Sequence, residues 1–131
     1  VVRRAIEIAH WETNIEPRFV LCTPVNSPKA RYRLFLERKG SEGDLTNFQF
    51  CLERQLQESD GYRSARKHGL LAELELIEVK GGWDTFQRVR RREGLAVPDR
   101  QDQAYLDLHP IWEHAFQKGQ STTRAEISSD L

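Results

Sequence analysis

Four histidines, two cysteines and 20 lysines and arginines are the side chains in this 131-residue sequence whose types invite chemistry. His10, His68, His109 and His114 are the candidates for metal ligation or proton transfer, yet none has an acidic or cysteine partner at a recognised ligand spacing. His109 and His114 lie five positions apart with Pro110 between them, which does not bring both imidazoles onto one helical face. No nucleophile elbow, phosphate loop, glycine-rich dinucleotide turn or zinc spacing occurs, and Gly81-Gly82 reads as a turn. No metal site is therefore expected. Cys22 and Cys51 stand in apolar company and read as buried free thiols, with a disulfide or reactive pair as the alternative.

Two arginine clusters remain. Arg88, Arg90, Arg91 and Arg92 are dense enough to hold phosphate oxygens through bidentate guanidinium contacts. They also fall at the end of a helical pattern, where cations stabilise the macrodipole, and that reading is favoured over nucleic-acid binding. The segment from Tyr62 to His68 is the more specific candidate: Arg63 and Arg66, three apart beside Tyr62, make a grip for an anion, or else a solvated basic loop.

The elements that must position these residues follow from periodicity. Val1 to Ala9 carries Val1, Val2, Ala5, Ile6 and Ala9 at helical spacing. Residues 17–23 and 30–38 are aromatic and β-branched runs joined by a proline-containing turn, and read as a hairpin with one face on the core. Residues 44–58 place Leu45, Phe48, Leu52 and Leu56 on one helical stripe behind Asp44, a plausible N-cap. Residues 59–69 read as a polar loop, and Ala72 to Lys80 as a third strand. Trp83 to Glu93 is a helix stopped by Gly94, and residues 104–116 are a last helical segment broken around Pro110.

This order has too few alternating units for a doubly wound sheet, so an α+β fold is expected: a mixed or antiparallel sheet of three to four strands packed with helices. A length of 131 residues suits one domain, taken as residues 1–117, followed by a polar, flexible tail at 118–131. Lysine plus arginine equals aspartate plus glutamate at 20 each, so no global field draws the chain to nucleic acid or an anionic membrane. With no long apolar run and no signal pattern, no membrane contact and a cytoplasmic location are expected. The absence of methionine and an opening inside an amphipathic helix lead to the expectation that the sequence is the C-terminal end of a larger protein.

In order, the opening helix, the strand ARYRLFLE, the helix LTNFQFCLERQLQ, Tyr62-Arg63 with Arg66, LELIEVKGGWDTF and AVP resemble the C-terminal domain of the auxin-responsive promoter family of acyl-acid amido synthetases, a branch of the acyl-adenylate-forming enzymes. The resemblance spans Val1 to Leu108. The family's Tyr-Arg-x-x-Arg segment matches at Tyr62, Arg63 and Arg66, and its aromatic helix start at Phe86. Its Gln-x-Lys-x-Pro-Arg stretch departs: Ala96 stands at the lysine position and Asp99 at the arginine position, leaving Arg100 to compensate only in a shifted register.

The resemblance implies that the whole protein uses ATP and Mg²⁺ to activate a carboxylic acid as an acyl-adenylate and passes the acyl group to an amine. The N-terminal domain of the same chain would be the partner and would hold the nucleotide. This domain would be a swinging lid with no cofactor of its own, inactive alone, offering Tyr62, Arg63, Arg66 and Arg100 to substrate or phosphate. Two alternatives stay open: the lid of a catalytically decayed homologue, suggested by Ala96 and Asp99, and a non-enzymatic interaction module using the Tyr62 to His68 surface. Oligomeric state is not marked in the sequence.

Overall fold

A computed structural model describes residues 2–26, 28–98, 104–106 and 112–116. Helix α1 (Val2–Thr13) leads into a hairpin of β1 (Pro17–Val25) and β2 (Arg31–Arg38). Then come α2 (Leu45–Leu56), α3 (Asp60–Lys67), β3 (Glu75–Glu78), α4 (Gly82–Arg92), β4 (Ala104–Leu106) and α5 (Trp112–Ala115). The four strands form one sheet in the order β3-β2-β1-β4. The hairpin is antiparallel, whereas β3 runs parallel to β2 and β4 parallel to β1, so the sheet is mixed and the fold is α+β as expected.

Strand alternation sends side chains to two separate cores. Val20, Leu34, Leu36 and Leu76 join α1, α2 and α3 on one face. Phe19, Leu21 and Phe35 join Phe86 and Val89 of α4, with Trp112 and Phe116, on the other. In the second core the ring of Phe86 lies 5.2 Å from Phe19 and 5.1 Å from Trp112, within the range of favourable aromatic pairing. Ion pairs Arg33–Glu75 and Arg38–Glu78 lock β2 to β3 across the parallel ladder.

Local chemistry sets the helix ends. Asp44 caps α2, its Oδ1 accepting from the backbone N–H of Thr46 at 3.0 Å and Asn47 at 3.3 Å, as its position predicts. The start of α4 is capped from a distance, because Glu37 Oε1 on β2 accepts the Trp83 backbone N–H at 3.1 Å. Gly82 must lack a side chain: a Cβ there would lie 2.8 Å from Val79 and 2.9 Å from Phe19.

The structure corrects two readings. Residues 59–69 are not a loop, since Asp60 to Lys67 form α3. Residues 104–106 are not helical but form the edge strand β4, and Trp112–Ala115 form the helix α5. The segment 118–131 and His109 lie outside the described residues.

Candidate functional site

The Tyr62–Arg66 cluster is organised by a residue that sequence reasoning passed over, Glu53. It sits on α2 between Leu52 and Leu56, at the margin of the apolar stripe, and is only 9% exposed. Four donors converge on its carboxylate. Oε1 accepts from Tyr62 Oη at 2.6 Å and from the Leu74 backbone N–H at 3.0 Å. Oε2 accepts from Arg66 Nε at 2.8 Å and from Gln57 Nε2 at 2.9 Å. A glutamate within an apolar helical stripe was the available signal, since a buried carboxylate demands partners.

Helix α3 owes its place to this clamp. Tyr62 is its one buried residue, far too little apolar surface to hold eight residues by packing. Asp60 in the first turn and Arg66 and Lys67 in the last suit the macrodipole, and Gly69, at φ +72°, lets the chain turn away. Arg66 reaches further, donating from Nη1 to the Leu71 carbonyl at 3.2 Å. The clamp thus ties α2, α3 and the entry to β3 together.

Electrostatics follow from the geometry. Burial pushes the Glu53 carboxyl up, but hydrogen bonds from Tyr62, Leu74, Arg66 and Gln57 overcome it and hold the group below the ordinary carboxylate range. Burial first, and then the Glu53 charge, raise the Tyr62 phenol far above its usual value, so it stays protonated. With its acceptor sites taken by four donors, Glu53 is a poor general base, and the group is a static brace.

Placement of the candidate residues is uneven. Tyr62 is buried rather than exposed, which corrects the reading of the whole segment as a surface cluster. Arg66 points inward to Glu53, and its guanidinium shares its charge with that carboxylate. Arg63 alone of the three faces outward; it pairs with Asp60, donates to the Gln57 carbonyl at 3.1 Å, and keeps 54% of its side chain exposed. Ala96 is exposed on the segment after α4, its carbonyl accepting from Arg90 Nε. Asp99 and Arg100 lie outside the described residues.

His10, His68, Arg90 and Arg92 make local contacts. His10 Nδ1 donates to the Ile15 carbonyl at 2.7 Å, closing the end of α1, and His68 Nδ1 meets the Ser64 carbonyl at 2.8 Å. Arg90 lies over the Phe86 ring at 5.6 Å, and Arg92 pairs with Glu93 at 3.5 Å. Cys22 and Cys51 are buried free thiols, as expected. Among the described residues no group of three His, Cys, Asp or Glu could hold a metal ion.

Comparison with known proteins agrees with the ordered features. The family model of the GH3 family C-terminal domain matches residues 1–98. A solved structure, GH3.15 acyl acid amido synthetase, superposes with a TM-score of 0.72 at 16% identity, over 92% of this chain but only 23% of that one. At that identity the likeness establishes the fold. No curated protein matches the sequence. The match to three-quarters of the chain is the stronger finding, and by it the chain belongs to the GH3 family, as its C-terminal domain.

Proposed function

We propose that this domain is the mobile C-terminal lid of an ATP-dependent acyl-acid amido synthetase, closing over the active site of an N-terminal domain in the same polypeptide, in the cytoplasm. The family match over residues 1–98 carries the reading, supported by a fold shared with 23% of an amido synthetase chain. A small rigid body is what a lid requires, and the two cores and the Glu53 brace supply one.

ATP and Mg²⁺ would be held by the N-terminal domain. The described residues offer this domain no metal-ligand cluster, and its sequence has no phosphate loop. Its own contribution would be to exclude water and present cationic groups to the reacting phosphate. Arg63 is the exposed member of the cluster suited to that role, whereas Arg66 and Tyr62 act as its support.

The test is carboxylic-acid-dependent exchange of pyrophosphate into ATP by the full-length polypeptide. Exchange with at least one acid in a broad panel is expected, and silence across the panel would refute an active synthetase. Ala96 favours one second reading, a decayed homologue, because a methyl group cannot supply the charge-assisted bond of a lysine. Exchange that appears only in Ala96→Lys would establish decay.

A further inference from the structure

The clamp that places α3 also leaves a space beneath it. Tyr62, the large inward-facing residue of the helix, is drawn toward Glu53, and the positions next along that side are Gly61 and Ala65. The helix is propped above the core rather than packed into it. Below lies a cavity of about 300 Å³, floored by Cys22 and Leu34 of the sheet and walled by Ala5 of α1 and Leu52 and Leu56 of α2.

The space is open to solvent on one side, and its volume is that of a ligand pocket rather than of the water-sized voids found inside packed domains. An apolar cavity of roughly 150 Å³ stays dry and takes up benzene, and ligand pockets begin at roughly 300 Å³. The walls specify the ligand further. None of the lining residues is Asp, Glu, Lys, Arg or His; the polar groups are the Ser59 hydroxyl, the Cys22 thiol and the phenols of Tyr32 and Tyr62. Burial pushes the Cys22 thiol up to about 12, so that wall is uncharged at neutral pH. A charged guest would lose its hydration without gaining a counterion. Tyr32 and Tyr62 stack with ring centroids 6.3 Å apart and 27° between planes, presenting aromatic surface to the same space. Ser59, half-buried, and Gly61, exposed, lie where the cavity meets solvent.

We propose that the cavity between α3 and the sheet is a binding site for one uncharged, apolar ring compound of one to two fused rings. The cavity's own walls carry this assignment, so a failure of pyrophosphate exchange would leave it untouched.

The test uses the 131-residue chain with toluene and 2-naphthol as probes and 2-naphthoate as the charged counterpart. Saturable shifts of the Ala5, Leu34 and Leu52 amide and methyl resonances are expected with both neutral probes, together with a raised melting temperature. The naphthoate should bind at least about tenfold more weakly than 2-naphthol, since its carboxylate finds no partner inside. Ala65→Leu and Cys22→Leu fill the space from opposite sides, and each folded variant should lose the response. Absence of saturable binding in the wild type, equal binding of naphthoate, or full binding by a folded filled variant would each overturn the proposal. A cavity already occupied by residues preceding Val2 in a longer polypeptide would show as no binding there, and would equally overturn it.

Discussion

Replacing Glu53 with alanine removes the acceptor shared by four donors at the joint of α2, α3 and β3. Two of the bonds it breaks, to Tyr62 Oη and the Leu74 N–H, are buried. Each donor left unsatisfied costs about 1–3 kcal/mol. Arg66 is 26% exposed on its side chain and Gln57 is half-buried, so both recover part of their hydration and add little. The sum is about 2–6 kcal/mol, a large part of the roughly 5–15 kcal/mol that holds a domain folded. Chemical denaturation at pH 7 should show the midpoint falling with little change in slope. Glu53→Gln preserves the shape but turns an amide N–H₂ toward the two donors of one carboxylate oxygen while keeping the other oxygen's bonds, and should cost less, about 1–2 kcal/mol. Arg66→Ala in a double-mutant cycle with Glu53→Ala should give a coupling of about 0.5–3 kcal/mol. A loss below about 1 kcal/mol for Glu53→Ala, or additive effects in the cycle, would refute the clamp and return Arg66 to the pool of free anion-binding cations.

Other consequences are as direct. The Glu53 carboxyl is held below its ordinary value of 4.5, so its stabilisation is complete above that pH and is lost as pH falls through the folded-state value; Glu53→Gln should flatten the acid limb of the stability curve, and an unchanged limb would contradict this. Both thiols are buried and raised by burial, so Ellman's reagent at pH 8 should react slowly with the native chain and rapidly with two thiols once it is denatured. Gly82→Ala should cost about 1–3 kcal/mol in denaturant titrations, because the new Cβ overlaps Val79 and Phe19. Asp44→Ala should cost about 1 kcal/mol, the usual value of an N-cap, measured the same way.

What could be read in advance was what depends on neighbours in sequence. The stripe from Leu45 to Leu56 and its Asp44 cap, and the alternation in the hairpin, are local patterns, and each appears in the fold. Helix α3 could not be read this way, because Tyr62 is its single buried residue and its anchor sits nine positions back on another helix. The same distance in sequence hid the burial of Tyr62 and the engagement of Arg66: their partner is Glu53, and the fourth corner of the clamp, Leu74, is 21 positions further on. Strand β4 was misread as helix since three residues carry little period, and parallel pairing with Val20 to Cys22 is a contact made across more than 80 positions. The family resemblance fared better because it rests on the order of elements, which the fold preserves even at 16% identity.

The lid reading is tested most directly by a distance. A spin label at Leu70→Cys, an exposed position just beyond α3, and a second on the N-terminal domain of the full-length polypeptide report the separation by pulsed electron resonance. Addition of ATP, Mg²⁺ and a carboxylic acid that supports exchange should bring up a distance population absent from the free protein. One distance distribution, unchanged by any combination of these ligands, would contradict a domain that swings over the site.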